Sequence, residues 1–372
     1  MIELQDILVQ YGDAYLSNHG LFPNQRKAMG AIRICRTSAL GGHIDECDKC
    51  DYISISYNSC RNRHCPKCQT INKERWIAAR KHDLLDVGYF HVVFTIPDTL
   101  NSIAYQNPSI VYKILFKAAA ETLAELASDK KYLGAQIGIT EVLHTWGQNL
   151  AHHPHVHCIV PGGGLDPYGR WINSRQKFFI PVKVLSRKFR GKFLHYLKKA
   201  SLGFFGSLSH LRERPLFESL ISSLYQKEWV VYCKPPFKNT GHVIEYLGRY
   251  THRVAISNNR ILKLENGIVT FKWRDYRDGN KQKQMDLSAD EFIRRFLLHV
   301  LPDGFTRIRH YGFLSSASKS TKLKLCQRLT HTQVNTLPQD RLSAPELLSL
   351  LIGRDVTLCP RCGVGHLTRA SP

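Results

Sequence analysis

The stretch EVLHTWGQNLAHHPHVHCIVPGGG, residues 141–164, contains two histidines separated by one apolar residue at the start of an apolar run. If this run is a β-strand, His155 and His157 project from one face and Val156 from the other, because side chains alternate along a strand. Two imidazoles side by side on a rigid element form a platform for a metal ion. We therefore expect a metal site on one face of a sheet.

A third ligand is expected from the strand that precedes this platform. A turn over residues 149–154 would fold residues 139–146 back as an antiparallel neighbour. That pairing brings His144 or Glu141 toward the two histidines, and we expect His144. Taken alone, the His-x-His pattern also fits a pair of surface or hydrogen-bonded histidines. The other motifs of the chain are therefore needed to distinguish a metal site from structural histidines.

The composition describes a strongly basic chain. Its 372 residues include 52 Lys and Arg against 30 Asp and Glu, a formal net charge of +22, and 10% are aromatic. Such a surface binds polyanions through counterion release, and aromatic rings stack on bases, so nucleic acid is the expected partner. No apolar run is long enough to cross a membrane and no signal-peptide pattern is present. We expect a cytoplasmic protein of two or three domains with no membrane partner.

The cysteines are clustered. Six of the 11 lie within residues 35–68, where two Cys-x-x-Cys pairs occur. In a chain without an export signal, this spacing favours zinc over disulfides. We expect one tetrahedral site formed by Cys47, Cys50, Cys65 and Cys68, which would replace a hydrophobic core in this short module.

Further cysteines and histidines offer additional sites. A second zinc site, interleaved with the first, would use four leftover residues: Cys35, His43, Cys60 and His64. The alternative for these four is buried thiols and hydrogen-bonded surface histidines. Cys359 and Cys362 form one more pair at the same spacing, which either completes a zinc site, with His366 as a candidate partner, or binds nothing.

Hydrophobic periodicity predicts the main elements around these motifs. They are a helix over residues 73–85, a strand over 89–96, a helix over 108–127, a hairpin turning at Asn266-Gly267, and a helix over 290–301.

Several basic residues are candidates for DNA contact. Arg187, Lys188 and Arg190 flank apolar positions within an insertion that spans residues 167–235, and Arg309 lies in a basic, strand-like segment. A charge run is usually only a solvated helix face. Because the whole chain is so basic, contact with the DNA backbone is the functional alternative.

Two tyrosines four residues apart, Tyr246 and Tyr250, lie in a segment with helical periodicity. On a helix they project from one side, and such pairs are more often part of a core than catalytic. Here Arg249 and Arg253 surround them, which favours contact with phosphate. A tyrosine hydroxyl titrates near ~10, so attack on a phosphate needs a metal or a cationic neighbour.

Together, these motifs resemble the two-tyrosine rolling-circle transposases of bacterial insertion sequences, which belong to the HUH endonuclease superfamily and carry an N-terminal zinc-binding domain. The resemblance runs from about residue 25 to residue 312. The motifs that carry it are NRHCPKCQ (62–69), HVVFTIP (91–97), HTWGQ (144–148), HPHVH (153–157) and YLGRYTHRVAIS (246–257).

The resemblance implies an α+β fold, with an RRM-like antiparallel sheet covered by helices and a small N-terminal zinc module. It implies that His155 and His157 bind Mg²⁺ or Mn²⁺ and that Tyr246 and Tyr250 are the nucleophiles. A related relaxase arrangement favours His144 as third ligand, while Glu141 and Gln148 stay open. The first tyrosine would cleave single-stranded DNA at one element end, forming a 5′-phosphotyrosine bond, and the second would cleave another end or the target.

The expected organisation has three parts. Residues 1–72 form the zinc-binding part, residues 73–312 the nuclease with its insertion, and residues 313–372 a basic helical tail. No helicase-type phosphate loop is present, so we expect host replication or helicase machinery to unwind the DNA. The oligomeric state is left open.

Three other functions compete with a transposase. A plasmid or phage replication initiator, or a relaxase, would share the chemistry. A zinc-stabilised DNA-binding regulator would use the histidines structurally. A zinc hydrolase ranks below both, because a motif such as His-Glu-x-x-His is absent.

Overall fold

A computed structural model describes residues 2–175, 180–237, 243, 248, 254–276, 278–333 and 342–370, without the side chains of 235–237. The helices are α1 Leu4–Asn18, α2 Pro23–Arg33, α3 Gln69–Lys81, α4 Asn101–Gln106, α5 Pro108–Ser128, α6 Val182–Lys199, α7 Arg214–Gln226, α8 Ala289–Leu297, α9 Ser316–Ser318, α10 Lys324–Leu329 and α11 Ala344–Ile352. The strands are β1 Gly42–Cys47, β2 Ile53–Tyr57, β3 Tyr89–Thr95, β4 Gly138–Trp146, β5 His152–Pro161, β6 Gly163–Leu165, β7 Trp171–Asn173, β8 Val231–Phe237, β9 Ile261–Glu265, β10 Ile268–Asp275, β11 Lys281–Ser288, β12 Ile308–Gly312 and β13 Leu367–Arg369.

A five-stranded antiparallel sheet in the order β12-β4-β5-β3-β8 forms the centre of the fold. Its inner strands are rich in β-branched and aromatic residues, and every residue of β4 is buried. The α+β class, an antiparallel sheet with helices packed on it beside an N-terminal cysteine-bearing module, is confirmed.

Helices α5 and α6 cover one face of this sheet. Phe94 of β3 and Val156 of β5 pack there in a large apolar cluster with Phe189 and Phe193 of α6. The rings of Phe94 and Phe189 lie 4.8 Å apart between centroids. The long apolar surface of α5 explains why its predicted range, 108–127, is confirmed to within one residue.

A second core joins the N-terminal helices to the three-stranded sheet β11-β10-β9. Leu8 of α1, Met29 of α2 and Phe292 of α8 are buried in it together with Phe271 of β10. Trp146, at the end of β4, also belongs to this cluster. The N-terminal helices are therefore packed against one end of the central sheet, on the face opposite α5 and α6.

The predicted hairpin turn between β9 and β10 is confirmed. Asn266 has a φ of 50° and Gly267 a φ of 76°. Two consecutive positive φ values are typical of the type I′ turn, which asparagine and glycine tolerate best.

The predicted helix over 73–85 differs more from the structure: α3 begins at residue 69, directly after Cys68, and ends at Lys81. Four residues beyond its end, Leu85 is buried and its backbone N–H donates to the Tyr89 hydroxyl.

A smaller sheet, β13-β1-β2, joins the two ends of the chain. Strand β13 pairs antiparallel with β1, so that Leu367 lies opposite Cys47. Helix α11 also contacts α3.

The predicted division of the chain into three parts, with boundaries at residues 72 and 312, stays a prediction. Among the helices in the described ranges, none is both long and apolar enough to cross a lipid bilayer.

A buried histidine makes the fold sensitive to acid. His299 follows α8; its Nε2–H donates to the Leu150 carbonyl (3.1 Å) and the Thr145 hydroxyl donates to its Nδ1 (3.2 Å). Burial lowers the pKa of His299 to about 3, below the value of about 6.5 expected in the unfolded chain. Between those values the unfolded state binds more protons, so the free energy of unfolding decreases as pH falls through about 6.5.

We therefore predict that His299→Gln reduces the loss of stability in acid. This histidine alone should account for about 2 kcal/mol of the decrease in the free energy of unfolding from neutral pH to pH 5. Urea unfolding at both pH values measures it, with His195→Gln on the exposed side of α6 as the control. Identical acid dependence in wild type and His299→Gln would contradict the prediction.

Candidate metal centre

Three histidines converge on one face of the central sheet. His155 and His157 lie on β5, and the antiparallel pairing places His144 of β4 directly opposite His155. One ring nitrogen from each lies within 4.8 Å of the others. The three imidazoles could therefore hold one metal ion and leave its other coordination positions open.

The other candidates for a third ligand are placed differently. Glu141 occupies the opposite face, where it is fully buried and its Oε1 accepts from the Cys158 thiol at 3.5 Å. Burial raises the pKa of Glu141 well above its usual range. Gln148 lies in the wall of the cleft that surrounds the histidines, and its Nε2 donates to the Tyr276 hydroxyl at 3.0 Å.

Neighbouring groups orient two of the three rings. Because the His153 carbonyl can only accept, His155 must carry its proton on Nδ1 to make their 2.6 Å hydrogen bond. This tautomer leaves Nε2 as the atom for metal coordination. His157 Nδ1 lies 2.9 Å from Nε2 of His91 on β3, and the two rings are stacked. His91 was not singled out from the sequence, although its place in the motif HVVFTIP could have identified it.

Burial keeps two imidazoles at the site, those of His155 and His91, neutral at pH 7. Burial, with His153 as a second cause, lowers the pKa of His155 to about 4. Burial and the nearby Lys234 lower the pKa of His91 to about 3. Neutral imidazole is the form that binds a metal, so these environments suit ligation at physiological pH.

The histidines lie in an open cleft of about 1060 Å³. Its rim carries two exposed aromatic side chains, Tyr232 (49% exposed) and Tyr276 (68% exposed). Lys234 of β8 and Arg274 of β10, both exposed, add positive charge to the same rim. Proteins bind single-stranded nucleic acids through grooves of this kind, in which aromatic rings stack on bases and cations contact the phosphates.

One arginine fixes the wall of the cleft. The Arg260 guanidinium donates to the Gln148 carbonyl and, at 2.8 Å, to the Lys272 carbonyl. It therefore ties the loop after β4 to β10. Local sequence patterns do not reveal this wall, because it belongs to a hairpin that lies more than a hundred residues from the histidines.

The tyrosines and their flanking arginines, Tyr246, Tyr250, Arg249 and Arg253, lie outside the described residues. Val243 and Gly248 are described. Val243 is fully buried against Tyr89 and Ile159, which belong to the histidine face of the sheet. At Gly248, a Cβ atom would lie 2.6 Å from Cδ1 of Ile77 on α3.

Of the basic residues predicted to contact DNA, the four that the structure describes do not line the histidine cleft. Lys188 forms an ion pair with Glu125 of α5, and Arg190 donates to the Lys227 carbonyl at 2.8 Å. Arg187 is exposed on the same helix, α6, which covers the other face of the sheet. Arg309 lies opposite Glu141, and its guanidinium is 4.4 Å from the ring centroid of Phe116. Among the described residues, Lys234 and Arg274 supply the positive charge at the cleft.

The predicted zinc site formed by Cys47, Cys50, Cys65 and Cys68 is wrong in its grouping. The structure forms two clusters of four sulfurs, each with all Sγ atoms within 4.8 Å: Cys35, Cys60, Cys65 and Cys68 in one, and Cys47, Cys50, Cys359 and Cys362 in the other. Cys35 and Cys60 meet the second Cys-x-x-Cys pair because the end of α2 lies beside the start of α3. The first pair lies across the small sheet β13-β1-β2, beside the C-terminal pair.

The two histidines proposed for a second zinc site are engaged elsewhere. His43 Nε2 lies 3.3 Å from the Asp45 carboxylate. His64 Nε2 accepts a hydrogen bond from the Leu301 backbone N–H at 3.3 Å. Burial lowers the pKa of His64 to about 3. Neither histidine joins a cysteine cluster: His64 is hydrogen-bonded and shielded from solvent, and His43 lies beside a carboxylate.

Comparisons with known proteins agree with the motifs. A family model described as "Transposase zinc-binding domain" matches residues 7–96, and one described as "Putative transposase" matches residues 138–322. The first of these spans the cysteines of the cluster beside α3. The zinc-binding domain and the cysteine clusters together support structural zinc in this chain.

Whole-chain relatives carry the same description. A Sinorhizobium fredii protein named "Putative transposase y4qJ" is 50% identical, over 98% of this chain and 94% of its own. The transposase for insertion sequence element IS801 of Pseudomonas savastanoi pv. phaseolicola is 30% identical, over 81% of this chain and 73% of its own.

Among solved structures, the conjugative relaxase TrwC in complex with mutant OriT DNA matches 65% of this chain and 73% of its own, at 12% identity and a TM-score of 0.26. A TM-score of that size does not establish a common fold, whereas the two relatives match most of the sequence. The chain belongs to the two-tyrosine rolling-circle transposases of bacterial insertion sequences, the family that carries an N-terminal zinc-binding domain.

Proposed function

We propose that this transposase cleaves and rejoins single-stranded DNA at insertion-sequence ends through 5′-phosphotyrosine intermediates. The observation that carries the proposal is the convergence of His144, His155 and His157 inside a cleft with exposed rings and cations on its rim. A regulator that only bound DNA would not need three imidazoles converging in a solvent-accessible cleft.

The donor set fits a divalent transition metal. Three imidazole nitrogens bind Mn²⁺ better than Mg²⁺, which prefers oxygen ligands. A metal ion bound there would act as a Lewis acid on a non-bridging oxygen of the scissile phosphate. The carbonyl of His153 and the ring of His91 hold two of the ligands in the orientation that this requires.

The nucleophiles in this proposal are Tyr246 and Tyr250. Val243 and Gly248, which precede and separate them in the sequence, contact the histidine face and α3 respectively, and this supports a nucleophile segment beside the cleft. The tyrosine oxygen loses its proton and attacks phosphorus, and the bond from phosphorus to the 3′ oxygen breaks. The departing oxygen takes up a proton and becomes a free 3′-hydroxyl.

Rejoining reverses these steps. A 3′-hydroxyl attacks the phosphotyrosine, the new phosphodiester forms, and the tyrosine is released with its proton restored. Two tyrosines allow two strands to be held at once, one from each cleavage. Lys234 and Arg274 would neutralise backbone phosphates at the rim, and Tyr232 and Tyr276 would stack on unpaired bases.

The partners follow from this chemistry. The substrate is single-stranded DNA at the element end and at the target, within the bacterial cytoplasm. Strand separation would come from host replication or helicase machinery, because the sequence carries no phosphate-binding loop of the helicase type. In the N-terminal module, Cys35, Cys60, Cys65 and Cys68 would hold a structural zinc.

The first test concerns the nucleophiles. We predict that Tyr246→Phe combined with Tyr250→Phe abolishes a metal-dependent covalent adduct with labelled single-stranded DNA from an element end, because phenylalanine lacks the attacking oxygen. Denaturing gel electrophoresis measures the adduct. Tyr225→Phe, on α7 at the far side of the sheet, is the matched control and should form adduct normally. An adduct that survives the double substitution would show that another residue attacks.

The second test concerns the metal ligands. We predict that His155→Ala weakens Mn²⁺ binding at the cleft by at least about tenfold, because one of three ligands is lost. Binding of single-stranded DNA should change by less than about threefold. Calorimetric titration of the zinc-loaded protein and fluorescence anisotropy measure the two quantities. His153→Ala is the control, since it retains the carbonyl that orients His155; equal metal affinity in both variants would refute this assignment.

The third test concerns the identity of the metal. Because all three donors are nitrogens, we predict that half-maximal cleavage requires at least about tenfold less Mn²⁺ than Mg²⁺. Cleavage rates across a concentration series of each ion, with chelated protein as the blank, give the two values. Equal requirements for the two ions would indicate that oxygen ligands dominate the site.

A further inference from the structure

Two cysteine pairs from distant parts of the sequence meet at the edge of the small sheet β13-β1-β2. Cys47 is the last residue of β1 and Cys50 follows it, whereas Cys359 and Cys362 precede β13. The Sγ atoms of Cys47 and Cys362 are 3.8 Å apart, and those of Cys50 and Cys359 are 3.7 Å apart. All four sulfurs lie within 4.8 Å of one another.

These separations identify the chemistry that the cluster suits. Four sulfurs arranged tetrahedrally at ~2.3 Å from a zinc ion are separated from each other by ~3.8 Å. A disulfide would bring two sulfurs to ~2.05 Å. The observed distances agree with the edges of a zinc tetrahedron. Each of the two chain segments contributes two sulfurs, which together give the four ligands of a closed zinc site.

The backbone around the cluster is shaped for thiolates. The Lys49 N–H donates to Cys47 Sγ at 3.4 Å, and the Gly365 N–H donates to Cys362 Sγ at 3.3 Å. Each Cys-x-x-Cys pair therefore has an amide aimed at one of its sulfurs, which stabilises negative charge there. Gly365 has no room for a side chain: a Cβ atom would lie 2.5 Å from Cys47 Sγ.

Hydrogen bonds position the two segments independently of any metal. The Asp48 N–H donates to the His366 carbonyl at 3.1 Å, and the His366 N–H donates to Asp48 Oδ1 at 2.8 Å. Strand β13 then continues the pairing along β1. These hydrogen bonds orient the two segments so that their four sulfurs face one another.

Apolar burial at this junction is too small to hold the segments together. Val364, between the C-terminal cysteines and β13, is 72% exposed, and Ile55 of β2 is 62% exposed. Ile44 and Ile53 on the same small sheet are also exposed. A three-residue strand with so little buried surface needs another source of stability, which in small modules is commonly a structural metal.

We propose that Cys47, Cys50, Cys359 and Cys362 bind a second structural zinc ion that fastens the C-terminal segment to the N-terminal module. This site is separate from the cluster of Cys35, Cys60, Cys65 and Cys68. The zinc-binding family model covers residues 7–96 and so includes only half of its ligands. The chain thus carries two structural zinc ions, one of which joins the segment after β1 to the segment before β13.

Zinc stoichiometry tests the proposal in the full-length chain. Wild type should contain two zinc ions per chain by native mass spectrometry, and Cys359→Ser combined with Cys362→Ser should contain one. Cys233→Ser, which changes a thiol outside both clusters, should retain two. Equal zinc content in the double variant and in wild type would overturn the proposal.

A measurement on wild type covers the case in which the double variant fails to fold. Zinc-loaded protein is treated with iodoacetamide before and after chelation, and the labelled cysteines are located by peptide mass spectrometry. Although Cys362 is exposed, we expect it to be labelled at least about tenfold more slowly before chelation than after, together with Cys47, Cys50 and Cys359. Rapid labelling before chelation, or labelling that requires a reductant instead of a chelator, would overturn the proposal, the latter in favour of disulfides.

Discussion

Backbone pairing between β4 and β5 determines the geometry of the candidate metal centre. The register places His144 opposite His155, and the alternation of side chains adds His157 to the same face. A shift of β5 by one residue would turn His155 and His157 to the face covered by α5 and α6, where Phe94 and Phe189 already fill the space. The apolar packing on that face therefore fixes the register, and the register fixes the distances among the imidazoles.

The same face is kept accessible by the way in which the remaining elements are distributed. At one end, α3 and Val243 cover the sheet through Tyr89 and Ile159. At the other end, the core of α1, α2, α8 and β10 reaches Trp146. The cleft lies between these two covers, and Arg260 holds its wall through backbone carbonyls from both the β4 loop and β10. Each cover contributes rigidity without occupying the space in front of the histidines.

Strand alternation and local motifs made much of this site predictable. The His-x-His pattern, the hairpin at Asn266-Gly267 and the range of α5 all depend on neighbours in sequence. Alternation also separates His144 from Glu141, because residues three apart in a strand face opposite sides. The partners of the cysteines and of α6 depend on contacts between distant segments. Spacing alone could not reveal that Cys47 meets Cys362, or that Glu125 would neutralise Lys188.

The pairing of β1 with β13 has a consequence for how the protein is made. Glu46 and Thr368 pair across a sequence separation of 322 residues. At ~5–20 residues per second, a ribosome needs on the order of 20–60 s to synthesise the intervening chain. For that time the outer edge of β1 has no partner, and unpaired strand edges readily accept strands from other chains. A neighbouring nascent chain on the same messenger offers an identical C-terminal strand, so these segments can be exchanged between two copies during synthesis.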